Sequence, residues 1–168
     1  MPAAELIAFV VNPDDPRTKY DIEDVEAGAR ASGQEIIVIK VNSDRAIEAL
    51  FAAITQRGVR ALLVGNDPFI NSRAEQLVGL AARYQVPAIY GLRKYADAGG
   101  LMSYSTSLTE SAHQAGTYIG RILNGEMPSH LPVVQPTKFE LVINKKTAQA
   151  LGLTIPPSLL VMADEVIE

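Results

Sequence analysis

Short apolar runs alternate with segments of helical periodicity along this chain, and this alternation limits the possible folds more than any other feature. The first run, Leu6–Val11, is apolar throughout, as expected for a strand that is buried on both faces of a sheet. A break rich in Pro and Asp follows at residues 12–16, and residues 20–31 then carry apolar positions at helical spacing before Gly33. This part of the sequence predicts a strand followed by a helix.

The same unit repeats further along the chain. Residues 35–41, 61–64 and 88–90 are predicted strands, and a helix with one apolar face is predicted after each of the first two. These faces consist of Ile47, Leu50, Phe51 and Ile54 in one helix and of Leu77, Leu80, Ala81 and Tyr84 in the next.

The last third of the sequence continues this alternation less regularly. Residues 101–104 predict a fifth strand, residues 108–123 a long helix, residues 139–143 a last strand and residues 147–151 a short helix. Strands that alternate with helices predict one doubly wound α/β domain with a mainly parallel sheet, helices on both faces and flavodoxin-like strand order. The long helix is expected to turn one apolar face inward, formed by Ala112, Ala115, Ile119, Ile122 and Leu123.

Composition and charge exclude several classes of function. Of the 168 residues, 48% are hydrophobic and 20% are charged, which is ordinary for a globular domain and argues against disorder. The net charge is −4 and the basic residues form no stripe, so no nucleic-acid partner is expected. The absence of cysteine excludes disulfides, thiolate metal ligands and cysteine nucleophiles.

Signatures of catalysis are also absent. The sequence contains no P-loop, no dinucleotide-binding glycine motif and no nucleophile elbow, and His113 and His130 are isolated from each other. We therefore expect no catalytic residue, no metal site and no cofactor. A receiver-like signalling domain is an alternative, because Asp14, Asp15 and Asp67 follow the first and third strands as its acids do, although no lysine follows the fifth strand.

Polar side chains are concentrated in the turns after the first and third predicted strands, at residues 12–18 and 65–73. In a doubly wound sheet these turns meet at the carboxyl edge, where the strand order reverses and ligands bind. Turn formation alone is an alternative explanation, and Asp67 could simply open a helix before a proline. An aromatic residue in such a polar turn favours the wall of a small-molecule pocket. The polar residues of these turns are Asn12, Asp14, Asp15, Asn66, Asp67, Asn71, Ser72 and Arg73, with Phe69 and Ile70 among them.

Several segments, in their order along the chain, resemble one protein family. They include VGNDPF at residues 64–69, GGLMSY at 99–104, QPTKFELVIN at 135–144 and LGLTIPPSLL at 151–160. The chain resembles the substrate-binding proteins of ABC transporters, particularly those that carry aromatic amino acids such as tryptophan and phenylalanine. The resemblance extends over nearly the whole chain, but it matches only the carboxyl-terminal half of such proteins.

The resemblance implies one lobe of a two-lobed, type I periplasmic-binding-protein fold. Residues 1–100 would form the core of the second lobe, residues 101–128 a strand and helix that cross to the first lobe, and residues 129–168 the return strand and the carboxyl-terminal segment. A small solute such as an aromatic amino acid would bind between the lobes, and the loaded receptor would engage an ABC permease. The resemblance implies that the candidate ligand-binding residues of the second lobe are Asn12, Asn66, Asp67, Phe69 and Asn71, with Ser103 and Tyr104 facing them from the crossing segment.

A crossing segment shaped for a lobe outside this chain would leave apolar surface exposed, unless it folds back to complete the sheet of this chain or pairs with another copy. We predict a homodimer, with exchange of that segment as one way to form it. A remnant that no longer binds a ligand is a further alternative. The resemblance implies a periplasmic protein. The sequence has neither a signal peptide nor an apolar stretch of membrane-spanning length, so a natural start at Met1 would instead place the protein in the cytoplasm.

Overall fold

Strands and helices alternate in the computed structural model, which describes residues 6–168. The strands are β1 (Leu6–Val11), β2 (Glu35–Lys40), β3 (Ala61–Val64), β4 (Ala88–Tyr90), β5 (Met102–Thr106), β6 (Phe139–Asn144) and β7 (Glu165–Ile167). The helices are α1 (Thr18–Ser32), α2 (Asp44–Gln56), α3 (Pro68–Ser72), α4 (Ala74–Arg83), α5 (Arg93–Asp97), α6 (Leu108–Leu123), α7 (Lys145–Ala150) and α8 (Pro157–Met162). One 3-10 turn spans Pro128–His130.

The strands form one seven-stranded sheet in the order β2-β1-β3-β4-β5-β6-β7. Neighbouring strands among the first five pair in parallel, whereas β6 runs antiparallel to β5, and β7 runs parallel to β6. The first five strands therefore have the flavodoxin-like order 2-1-3-4-5. This confirms the predicted doubly wound, mainly parallel α/β fold.

The main core lies on one face of the sheet. Ala8 and Val10 of β1 point to this face, where they pack with side chains of α2 and α4, and Phe9 alternates to the opposite face. Helix α2 begins at a favourable cap, because the Ser43 hydroxyl accepts a hydrogen bond from the Ala46 N–H at 3.3 Å. Its four predicted apolar residues are all buried, as are Leu77 and Ala81 of α4.

Three elements were not predicted from the sequence, α5, α8 and β7, and α3 was considered only as the alternative in which Asp67 opens a helix. Each has three to six residues, which is too short to show a helical or strand period. Tyr84 was expected on the inner face of α4, but it follows the helix as its C-cap and is 39% exposed. Its ring still contacts Phe51, with the ring centroids 5.4 Å apart.

We call residues 107–138 the arm; they comprise α6 and the segment that leads to β6. The prediction that α6 turns an apolar face inward is wrong for this structure, because no residue of α6 is buried. Ile119 is 58% exposed and Leu123 is 81% exposed. The arm is nevertheless ordered by its own contacts, since the Tyr118 hydroxyl donates to the Pro132 carbonyl at 2.6 Å. The apolar stripe of α6 is therefore a free surface in this chain.

The strand that leads into the arm belongs to the same sheet as the rest of the chain. Met102 and Ser103 of β5 pair with β4, and all five residues of β5 pair with β6. The division into residues 1–100, 101–128 and 129–168 as parts of two lobes stays a prediction. Over residues 6–168, none of the helices combines the length and the apolar character needed to span a membrane.

Candidate functional site

The strand register brings the turns after β1 and β3 to the same edge of the sheet. Val10 pairs with Val64, and Val64 pairs with Tyr90, so the turns that follow these strands lie side by side. A side-chain contact joins the two turns, because the Arg17 guanidinium donates to the Asn66 carbonyl at 3.3 Å. The strand register therefore brings Asn12 and Asn66 together at one edge of the sheet, as predicted.

Asn12 and Asp67 both stabilise the backbone at this edge. Asn12 is 9% exposed, and its side-chain oxygen accepts a hydrogen bond from the Asp14 N–H at 3.0 Å. Asp67 is 7% exposed, and one carboxylate oxygen accepts from the Ile70 N–H at 3.0 Å, which caps α3. The alternative that Asp67 opens a helix is thus correct, and the cap engages one of its two carboxylate oxygens.

The side chains of Asn66 and Asn71 form a hydrogen-bonded pair on the exposed side of this edge. The Asn71 side-chain nitrogen donates to the Asn66 side-chain oxygen at 2.7 Å. The Tyr95 hydroxyl lies 3.1 Å from the Asn71 side-chain oxygen and 3.1 Å from the Ile70 carbonyl. Tyr95 was not a candidate from the sequence, because its contact with Asn71 depends on α5 lying beside α3.

An ion pair in the turn after β1 borders the same edge. Arg17 donates to Asp15 through two nitrogens, the shorter contact being 2.7 Å. The side-chain hydrogen bond from Arg17, followed by the backbone N–H of the same residue, lowers the pKa of the Asp15 carboxyl to about 2. The ion pair therefore favours the ionised form of Asp15, and it holds the Arg17 guanidinium next to the Asn66 carbonyl.

The two apolar residues of the turn after β3 have different surroundings. Phe69 is partly buried against the core, and the Arg73 guanidinium carbon lies 4.7 Å from the centre of its ring. Ile70 is fully buried in the core. Ile70 thus anchors α3, whereas part of Phe69 remains accessible.

Ser103 and Tyr104 do not join the other candidates in direct contact. Ser103 is fully buried within β5, and its hydroxyl has no hydrogen-bond partner among residues 6–168. Tyr104 points to the opposite face of the strand, is 53% exposed, and stacks on Phe139 with ring centroids 5.6 Å apart. The structure therefore groups Asn12, Asn66, Asp67, Phe69 and Asn71 and places Ser103 and Tyr104 on β5, two strands from β3.

The described part of the chain contains no group of three or more His, Cys, Asp or Glu side chains placed to hold a metal ion. Both histidines lie on the arm and are exposed. We assign none of these residues to a metal or a cofactor.

A family model for "ABC transporter substrate binding protein" matches residues 1–167. The chain belongs to this family. No curated protein matches the sequence.

Three solved structures have the same fold. An ABC domain in complex with L-Trp from Streptococcus pneumonia has 28% identity and a TM-score of 0.87. A conserved domain protein from Vibrio cholerae has 23% identity and a TM-score of 0.87, and the ligand-free substrate-binding protein CD0873 from Clostridium difficile has 19% identity and a TM-score of 0.74. The matches cover 99% of this chain but 58%, 56% and 55% of those chains, in the order given, so the chain spans just over half the length of each.

Proposed function

We propose that this chain is the solute-binding component of an ABC importer, or one half of it, and that it binds an amino acid with an aromatic side chain at the carboxyl edge of its sheet. The observation that supports this most directly is the grouping of Asn66, Asp67 and Asn71 beside Asn12 at the place where doubly wound sheets bind ligands. The same edge provides no nucleophile paired with a base, so the proposed role is binding without catalysis.

The chemistry of the edge suits an amino acid. The second carboxylate oxygen of Asp67 could receive an ammonium group, and the side-chain amides could bind a carboxylate. The partly buried ring of Phe69, or the exposed ring of Tyr104, could stack on an aromatic side chain. The L-Trp complex of the structure that is 28% identical supports an aromatic amino acid as the first ligand to test.

An ABC permease is the proposed partner of the loaded receptor, and the space outside the cytoplasmic membrane is its proposed location. Both proposals follow from family membership, since a receptor of this kind delivers its solute to a permease at the outer surface of the cytoplasmic membrane. The receiver-like alternative is not supported by the structure of the edge, because Asp67 caps α3 and β5 is followed by Ser107, which caps α6.

Isothermal titration calorimetry with L-tryptophan, L-phenylalanine and L-tyrosine tests the proposed function. The edge supplies one wall of a cleft, so we expect binding with a Kd above about 1 μM, because part of the ligand surface stays in water. L-tryptophan should bind more tightly than glycine, which has no ring to stack. Equal, unmeasurable binding of all four amino acids would contradict the aromatic-ligand proposal, and submicromolar binding by a proven monomer would contradict the single-wall explanation.

We also propose that two copies of the chain pack through their arms. Ile119, Ile122 and Leu123 are 58%, 40% and 81% exposed on one stripe of α6, next to Met127 at 59%. Burial of each large aliphatic side chain would stabilise an assembly by about 1.5–3 kcal/mol, which a second copy of the same stripe provides symmetrically.

Light scattering after size exclusion tests this assembly. We expect a mass of twice the monomer at micromolar concentration, and we expect Leu123→Asp combined with Ile119→Asp to yield the monomer, because two charges would enter an apolar interface. Thr117→Asp adds a charge on the opposite side of α6 and should leave the dimer intact. A monomeric wild-type chain, or an equal effect of Thr117→Asp, would contradict the arm-to-arm dimer.

A further inference from the structure

The hydroxyl of Tyr95 contacts the candidate site although Tyr95 lies on α5, outside the two turns that would contact the ligand. Tyr95 lies on α5 and is 1% exposed, yet its hydroxyl is 3.1 Å from the Asn71 side-chain oxygen. Asn71 in turn donates to the Asn66 side-chain oxygen at 2.7 Å. These contacts form a continuous relay from a buried aromatic residue to an exposed amide at the sheet edge.

The relay determines whether the oxygen or the nitrogen of the Asn66 side-chain amide is free to bind a ligand. The Asn71 side-chain oxygen and the Ile70 carbonyl are both 3.1 Å from the Tyr95 hydroxyl, which shares its one proton between them. With its oxygen on this side, Asn71 turns its nitrogen to Asn66 and occupies the Asn66 oxygen. The Asn66 side-chain nitrogen has no hydrogen-bond partner within residues 6–168. Asn66 is exposed, so this N–H₂ group is a free hydrogen-bond donor on the exposed side of the candidate site.

The Tyr95 ring is held rigidly, as a positioning residue requires. It stacks on Tyr90 with ring centroids 4.4 Å apart and an angle of 9° between the rings. Gly100 packs on this pair so closely that a Cβ there would lie 2.7 Å from the Tyr90 ring and 2.7 Å from the Tyr95 carbonyl. A second contact fixes the backbone next to it, because the Lys94 ammonium donates to the Asn71 carbonyl at 2.6 Å.

We propose that Tyr95 is a positioning residue that acts through Asn71 to present the side-chain N–H₂ of Asn66, so that the group of the solute received there is a hydrogen-bond acceptor such as a carboxylate. The proposal rests on the proposed solute-binding function and specifies one subsite of it. Asp67 at the same edge is 7% exposed and caps α3 with one oxygen, and under this proposal its other oxygen would face the opposite end of an amino acid, the ammonium group.

The first test does not need a ligand. Tyr95→Phe removes the hydroxyl and keeps the ring, and we expect it to shift the side-chain N–H₂ signals of Asn66 and Asn71 in ¹H–¹⁵N spectra of the full chain. Tyr90→Phe is the matched control, because it alters the other ring of the same stack, and no hydrogen bond in the described residues joins its hydroxyl to Asn71. Unchanged Asn66 signals in Tyr95→Phe, or equal shifts in both variants, would overturn the relay.

The second test uses L-tryptophan and tryptamine, which lacks the carboxylate. We expect Tyr95→Phe to raise the Kd of L-tryptophan by about 2- to 10-fold, the range that one net hydrogen bond supports, and to leave the Kd of tryptamine unchanged. In an Asn71→Ala background, Tyr95→Phe should have no further effect, because the relay is already broken. Equal losses for both compounds, or additive losses in the double variant, would overturn the proposal.

The two tests separate the relay from the function on which it rests. If wild-type protein binds neither compound, the proposed function fails, and the ¹H–¹⁵N spectra still decide whether Tyr95 orients Asn66. If L-tryptophan binds and the spectra of Tyr95→Phe match the wild type, the function stands and the relay is wrong.

Discussion

Replacing Ile70 by alanine is expected to destabilise the protein by about 2–5 kcal/mol, a large part of the total stability of a domain of this size. Ile70 is fully buried, and it is the residue through which α3 is anchored in the core. Its N–H is also the group that Asp67 caps, and its carbonyl lies 3.1 Å from the Tyr95 hydroxyl. A cavity at Ile70 would therefore loosen the backbone that carries the candidate site. Urea unfolding followed by circular dichroism measures the loss.

Two comparisons make this result specific. Ile70→Val removes one methylene group and should cost about 0.5–1.5 kcal/mol. Val161 lies on α8 and is 87% exposed, so Val161→Ala should change the free energy of unfolding by less than about 0.5 kcal/mol. If Ile70→Ala cost no more than Val161→Ala, α3 would not depend on core packing, and the anchoring role of Ile70 would be wrong.

Asp67→Asn is expected to weaken binding of L-tryptophan by at least about tenfold while leaving the stability nearly unchanged. Asparagine caps a helix about as well as aspartate does, so α3 keeps its first turn. The negative charge that would pair with the ligand ammonium is lost, and an ammonium placed against a neutral group in a partly dry site binds poorly. Calorimetry and thermal unfolding on the same sample measure the two effects separately.

Asp67→Ala provides the complementary result. It removes both the charge and the cap, so it should weaken binding and also cost about 0.5–2 kcal/mol of stability. Indole-3-propionate, which lacks the amino group, should bind Asp67→Asn and the wild type equally. Asp97→Asn, which removes an exposed carboxylate paired with Arg93, is the control for net charge. A tenfold loss for indole-3-propionate in Asp67→Asn would show that the carboxylate does not recognise the ammonium.

These experiments separate the structural role of the edge residues from their proposed role in ligand binding. Asp67 caps a helix with one oxygen, and Asn12 closes a turn with its side-chain oxygen, so both residues have structural work that does not require a ligand. Substitutions that preserve the backbone contact and alter only the charge or donor pattern are therefore the informative ones. Alanine at either position would confuse loss of binding with loss of local structure.

Much of the fold could be predicted from the sequence because its signals are local. The alternating periods of β1, α1, β2, α2 and β3 gave the element order, and buried runs such as Leu6–Val11 indicated a parallel sheet. The short helix α5 was missed, and α3 was considered only as an alternative, because five residues do not establish a period. The amphipathic pattern of α6 was real but misleading, since a pattern shows which side is apolar and does not show whether anything covers it.

The sequence by itself determined the strand and helix alternation and the family, because these depend on residues within a few positions of one another or on their order along the chain. The tertiary structure alone decided that Tyr95 reaches Asn71, across 24 positions of sequence, and that the apolar face of α6 stays exposed. The reason is that contacts between distant segments follow from strand order and helix docking, and these are fixed by the packing of the whole sheet.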